Sequence, residues 1–179
     1  AMDLINRYNQ GELNSADSIL FPESERYQTL RLGRVVYGGG GIMPDVFVPI
    51  DTSSYSDYYR DLLDRGIFNQ FLMSYMDVNR QALEDAYPDF SDLKEGFVAD
   101  ENLLQELIAL ASEKGLEFRQ EDWDTSKTQI SMLVKAYIAR DLWETGRFYQ
   151  VYNSRDPIFQ KAYDILVESK EYDLKLIPE

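Results

Sequence analysis

The feature that most constrains this chain is a change of hydrophobic period near Ser53. Beyond that point, Phe68, Phe71, Leu72, Tyr75, Met76, Asn79, Leu83 and Ala86 recur at i, i+3, i+4, i+7 as far as Pro88. That spacing places one apolar stripe on a helix of 3.6 residues per turn. Before it, the chain reads as short β-branched runs broken by turn residues. "YQTLRL" (residues 27–32), "RVVY" (residues 34–37) and "VFVPI" (residues 46–50) each have strand composition, and "YQTLRL" alternates as a half-buried strand would. A short helix is expected over Asp3–Asn9, and the turn-rich "NSADS" contains Ser15. The expected fold class is mainly α: a bundle-like helical domain of about five helices over residues 53–179, preceded by a short β-containing part over residues 1–52.

The helices have readable limits. One follows "DTSSYSD" and stops near Gly66. The striped helix ends before Pro88, and a third runs over Glu101–Lys114 with Leu103, Leu104, Leu107, Ile108 and Ala111 on one face and Gly115 at its end. The fourth is expected to start near "DTSK" and to bury Ile130, Leu133, Val134, Tyr137, Ile138 and Leu142. The fifth begins at Pro157, a residue suited to a first helical turn, with Phe159, Ala162, Tyr163 and Leu166 facing inward.

Composition excludes several chemistries. The 179 residues include no histidine and no cysteine, which removes His-dependent nucleophile systems, the usual zinc ligand sets and disulfides. Net charge is −14, with the acidic excess mostly after residue 52, and such a field repels phosphate backbones and anionic lipid surfaces. No apolar run reaches the ~18–20 residues that span a bilayer. Carboxylate pairs abound, Asp61 with Asp64, Glu84 with Asp85 and Asp122 with Asp124, but they read as solvated helix faces. Trp123 and Trp143 read as core anchors, and no calcium-loop pattern occurs. No metal and no cofactor is expected.

Four consecutive glycines, Gly38, Gly39, Gly40 and Gly41, stand in "GRVVYGGGGIMPDVFVPI". A phosphate cradle needs Gly-Lys-Ser/Thr opening a helix, whereas Ile-Met-Pro-Asp follows here and no lysine precedes Lys94. A dinucleotide fingerprint fails for the same lack of a helix. The bland reading is a structural connection between extended segments. Serine with lysine is the nucleophile chemistry compatible with zero histidines. Ser15, in the chain's one Ser-Ala pair, lies far in sequence from any lysine and reads as a turn residue.

The segment built from Gly33, Arg34 and Val35, the four glycines, Ile42, Pro44 and Asp45 resembles the close of the protease core in the bacterial C-terminal processing peptidases, or tail-specific proteases, which use a Ser-Lys dyad. The residues before it resemble an insertion found in one branch, and the helical remainder resembles that branch's C-terminal extension. In that family the nucleophile lies in a Gly-x-x-Ser-Ala-x-x-Glu-type motif, with its lysine a couple of dozen residues on. Both belong upstream of the segment where this sequence starts, as does the PDZ domain, so Ser15 does not match the family's nucleophile. The resemblance therefore implies the C-terminal portion of a serine endopeptidase that processes or degrades proteins from their C-terminal region. It implies no catalytic residue here, and a structural, substrate-positioning or assembly role. The implied partners are protein or peptide substrates, the upstream core and PDZ domain, and a possible second copy, in the periplasm or cell envelope. The alternative is an independent acidic helical binding module. On the peptidase reading, the strands of residues 1–52 are expected to have open edges.

Overall fold

The computed structural model describes residues 11, 15, 18–19, 23–31, 33–38, 44–51 and 53–167. The expected Asp3–Asn9 helix and Gly39, Gly40, Gly41 and Ile42 lie outside the described residues. The chain divides into two compact units, residues 52–156 and residues 1–51 with 157–179. Among the described residues there are seven α-helices and two short strands, a mainly α fold. No described helix is long and apolar enough to cross a membrane.

In the unit formed by residues 1–51 and 157–179, β1 (Arg26–Gln28) and β2 (Val35–Tyr37) pair antiparallel, with Tyr27 opposite Val36. The connection is closed locally. Thr29 N–H donates to the Arg34 carbonyl (2.9 Å), Gly33 N–H donates to the Thr29 carbonyl (3.0 Å), and the Thr29 hydroxyl accepts from Arg34 N–H (3.0 Å). Gly33 takes φ +63°, which a side chain would strain.

Three expectations are corrected. "YQTLRL" is strand only at Tyr27 and Gln28 among its described residues, because Thr29, Leu30 and Arg31 are spent on the turn, and β1 is exposed along its length rather than half-buried. "VFVPI" forms no strand, since Pro49 removes an N–H donor from the segment and no described strand lies along it. Pro157 does open the last helix, α7 (Pro157–Val167), but its expected inward face is wrong. Phe159, Tyr163 and Leu166 are exposed and Ile165 is the buried residue, because α7 groups with residues 1–51 and not with the helical core.

The other unit carries α1 (Asp57–Asp64), α2 (Ile67–Ala86), α3 (Phe90–Gly96), α4 (Glu101–Glu113), α5 (Gln120–Leu142) and α6 (Thr145–Tyr152). The helix α5 is central. It packs on α1, α2, α3 and α6, and its buried residues Ile130, Leu133, Val134, Ala136, Ile138 and Ala139 occupy more than one face. Small Ala136 and Ala139 let neighbours approach from sides that an amphipathic surface helix would leave wet. Every buried hydrophobic residue of the described chain except Ile165 belongs to this one core. Rings interlock edge to face within it, as Tyr58 with Trp123 (centroids 6.2 Å apart) and Phe68 with Tyr137 (5.5 Å).

Helix ends explain the limits. Ser56, Asp89 and Asp100 cap α1, α3 and α4 through side-chain oxygens, and Asp89 with Asp92 forms a reciprocal capping box. After α4, Gly115 at φ +77° allows Leu116 N–H to reach the Ala111 carbonyl (2.9 Å) and Gly115 N–H the Ser112 carbonyl (3.0 Å). This is a Schellman ending, with buried Leu116 and Ala111 as its apolar contact. The helix α5 starts four residues ahead of "DTSK". Arg119 stands at its cap position and supplies no side-chain oxygen, while Glu121 and Asp122 favour the positive end of the helix.

Candidate functional site

The signature segment comes together at one point. The Arg34 guanidinium forms an ion pair with the Asp45 carboxylate, joining the start of β2 to the residue after Pro44. Both are partly exposed, so the pair fixes a chain path more than it adds stability. Gly38 follows β2, where its N–H donates to the Glu25 carbonyl (2.8 Å). A Cβ on Gly38 would stand 2.8 Å from the Tyr27 ring, so glycine lets the cross-strand tyrosine lie over the backbone. Ser15 sits in turn backbone, its N–H bonded to the Gly11 carbonyl (3.1 Å) and its carbonyl to Ser18 N–H (3.2 Å).

Sequence reasoning singled out nothing within the helical unit, yet that unit has a groove of about 790 Å³. The end of α3 and the following loop form one wall with Lys94, Phe97 and Val98, and α5 forms another with Lys127, Met132 and Lys135. Val151, Ser154 and Arg155, at and after the end of α6, close it. Phe97 and Val151 give a buried apolar floor, whereas Val98 stands 76% exposed at the rim.

The polar groups of the groove divide by occupation. Lys127 is ion-paired with Glu101, and Asp100 is engaged in capping α4 through Leu103 N–H (2.9 Å). Lys135 Nζ donates to the Lys94 and Phe97 carbonyls (2.7 and 2.8 Å), closing the C-terminal end of α3. Its pKa is lowered, first by burial and then by the positive charges of Arg155 and Lys94. The charge felt at Lys135 is therefore that of two further cations. The i, i+4, i+8 spacing of Lys127, Ser131 and Lys135 on α5 was the available signal, but Lys94 and Arg155 come from other elements and no periodicity joins them to it.

The acid pairs stay on helix surfaces. Asp61 pairs with Arg65 (3.1 Å), and Asp122 with Arg119 (3.2 Å). Among the described residues no three acidic side chains gather as a metal site. Trp123 is buried, and Trp143 packs edge to face on Phe90 (5.9 Å) against the core. Between Ser56 and Ser126 a buried hydroxyl pair lies outside the groove, and Tyr58 Oη is buried without a hydrogen-bond partner among the described residues.

The model of a family of unknown function (DUF8443) matches residues 58–144, just short of half the chain. No curated protein and no solved structure matches it. The similarity spans α1 to the end of α5 and includes most of the helical core, but ends before Val151 and Arg155 of the groove.

Proposed function

We propose that this chain is the closing part of a Ser-Lys processing-peptidase core followed by a helical domain without catalytic residues. The observation that carries the reading is the uneven fate of apolar side chains. Residues 52–156 bury most of theirs in one core and leave Met73, Val78, Val98 and Tyr149 exposed. In the other unit, by contrast, Tyr27, Val35, Val36 and Ile50 beside the signature segment, and Ile158, Phe159 and Tyr163 on α7, are exposed, and Ile165 is the one buried hydrophobic among the described residues. An isolated two-stranded ribbon is marginal in water, and contiguous apolar surface marks a place where other protein packs. The β1–β2 pair is suited to extend a larger sheet, with the Arg34–Asp45 ion pair holding the exit from it.

In the parent enzyme a serine hydroxyl attacks a peptide carbonyl while lysine takes its proton, and water resolves the acyl-enzyme. The helical domain contributes substrate positioning or assembly. Its partners are the protease core with its PDZ domain and, through them, protein substrates of the cell envelope. The self-contained core of residues 52–156 favours a second reading, a free-standing helical binding module.

Two measurements decide between them. The coding sequence ahead of residue 1 should contain a Gly-x-x-Ser-Ala-x-x-Glu motif and its lysine. Deleting residues 53–179 from that full protein should impair cleavage of an unstructured protein substrate or assembly of the enzyme. No Ser-Ala motif upstream, or labelling of the present chain alone by a fluorophosphonate, would refute the peptidase reading.

A further inference from the structure

Four cations and three carboxylates, those of Glu95, Asp100 and Glu101, line the groove of the helical unit, which leaves it net positive in a chain of net charge −14. Lys127 is neutralised by Glu101, and Lys135 is held by two carbonyl groups. Lys94 and Arg155 are left, from two separate elements, and both bear electrostatically on Lys135. Like charges brought together around a partly buried ammonium are unfavourable unless an anion arrives to share them. Apolar surface lies between them in Phe97, Val98, Met132 and Val151.

We propose that this groove binds a peptide segment of a partner protein in which one or two carboxylate side chains are flanked by apolar residues. The carboxylate meets Arg155 and Lys94, and the Lys135 ammonium has a third donor beyond the two given to carbonyls. The flanking apolar side chains cover Val98 and reach the floor made by Phe97 and Val151. Charge complementarity is local: beyond the Debye length of about 8 Å at physiological salt the surrounding acidic surface is screened. A polyanion such as nucleic acid would extend past the groove onto that acidic surface, whereas a short segment with one or two charges stays inside it. The proposal stands independently of the peptidase reading, because every residue it uses lies in the helical unit.

The test uses the whole chain and a panel of heptapeptides, acetylated and amidated, carrying one or two Glu or Asp among Leu, Val and Phe. Calorimetry should find acidic peptides that bind with Kd of roughly 10–100 μM, and their Gln or Asn counterparts should bind about tenfold more weakly or worse. Arg155→Gln and Lys94→Gln should each weaken binding about fivefold with a thermal midpoint changed by no more than about 2 °C, since neither side chain has a hydrogen bond or ion pair among the described residues. Lys114→Gln, away from the groove, should change nothing. Equal affinity for acidic and neutral peptides, full affinity in both groove variants, no binding by any panel member at millimolar concentration, or tighter binding of a single-stranded DNA 12-mer would each overturn the proposal.

Discussion

Replacing Ser126 by alanine tests how the helical unit is held together. Ser126 is fully buried on α5, where its hydroxyl oxygen accepts from Ser56 N–H (2.8 Å) and lies 2.9 Å from the Ser56 hydroxyl. It also donates to the Ser54 carbonyl (2.9 Å), and Ser56 Oγ in turn accepts from Tyr59 N–H (3.2 Å) as the cap of α1. One hydroxyl hydrogen and two lone pairs satisfy all three contacts of Ser126, so this polar knot is complete and ties the start of α1 to the central helix. Alanine removes the knot's centre and leaves a buried N–H and a carbonyl without partners. A net hydrogen bond contributes about 1 kcal/mol and each buried orphan costs about 1–3 kcal/mol, so the loss should be about 2–4 kcal/mol.

Urea unfolding followed by tryptophan fluorescence reports on this unit, because Trp123 and Trp143, the chain's two tryptophans, both lie in it. For a domain of about this size, each kcal/mol moves the thermal midpoint by about 4–8 °C, so a fall of about 8–32 °C is expected. Ser131→Ala is the control. Its hydroxyl bonds back to the Lys127 carbonyl (2.8 Å) within the same helix, and its loss should cost less than about 0.5 kcal/mol. Ser126→Ala within about 0.5 kcal/mol of the parent would refute the accounting, as would additive losses in Ser56→Ala, Ser126→Ala and the double variant.

Tyr58→Phe should be neutral or stabilising by up to about 1 kcal/mol, because the buried Tyr58 hydroxyl has no partner to lose. Burial pushes Tyr58 and Tyr59 up to about 12, so both stay protonated in the fold when the unfolded chain ionises. Stability should therefore be intact below pH ~10 and fall as pH rises toward 12, by up to ~1.4 kcal/mol per pH unit for each tyrosine, and Tyr58→Phe should lower that slope by one tyrosine's share in urea melts. Gly115→Ala should cost about 1–2 kcal/mol by the same assay: nothing lies within 4 Å of the new Cβ, so the whole loss is the left-handed backbone. Asp89→Ala should cost about 1 kcal/mol by breaking the capping box of α3, with Asn in its place recovering most of it.

How much of this was legible depended on where each signal resides. The faces of α2 and α4 were readable because period and cap lie within one stretch of chain, and Gly115 and Pro88 mark ends by backbone geometry alone. By contrast α3 is short and its box uses Asp92 where Glu or Gln is usual, and α6 begins after Glu144 with no side-chain cap, so neither announced itself. The α7 face failed for a different reason: periodicity identifies a helix but not the body on which it packs. Ile165, the residue that is buried, stands between Tyr163 and Leu166 of the expected set. The groove was illegible because Lys94, Lys135 and Arg155 meet only after α3, α5 and α6 have packed.

The contrast between the units bears on the glycine-rich segment itself. In the helical unit most local signals agree with the packing: caps at Ser56, Asp89 and Asp100, a glycine stop at Gly115, and one continuous core. Such agreement between local signals and packing is what lets a sequence specify a fold unaided. At the β1–β2 hairpin the local signals are equally definite, with Gly33 in a left-handed turn, Thr29 bonded across it and Arg34 paired with Asp45. Yet the side chains these devices position, Tyr27, Val35 and Val36, are exposed. A turn defined this well with so little burial behind it has been shaped for packing, and in the proposed reading that packing comes from the protease body. Mixing the present chain with a separately expressed core would then protect the Val35 amide, which faces away from β1, from hydrogen exchange. Unchanged exchange, with a core shown to be folded, would mean that the hairpin serves some other surface.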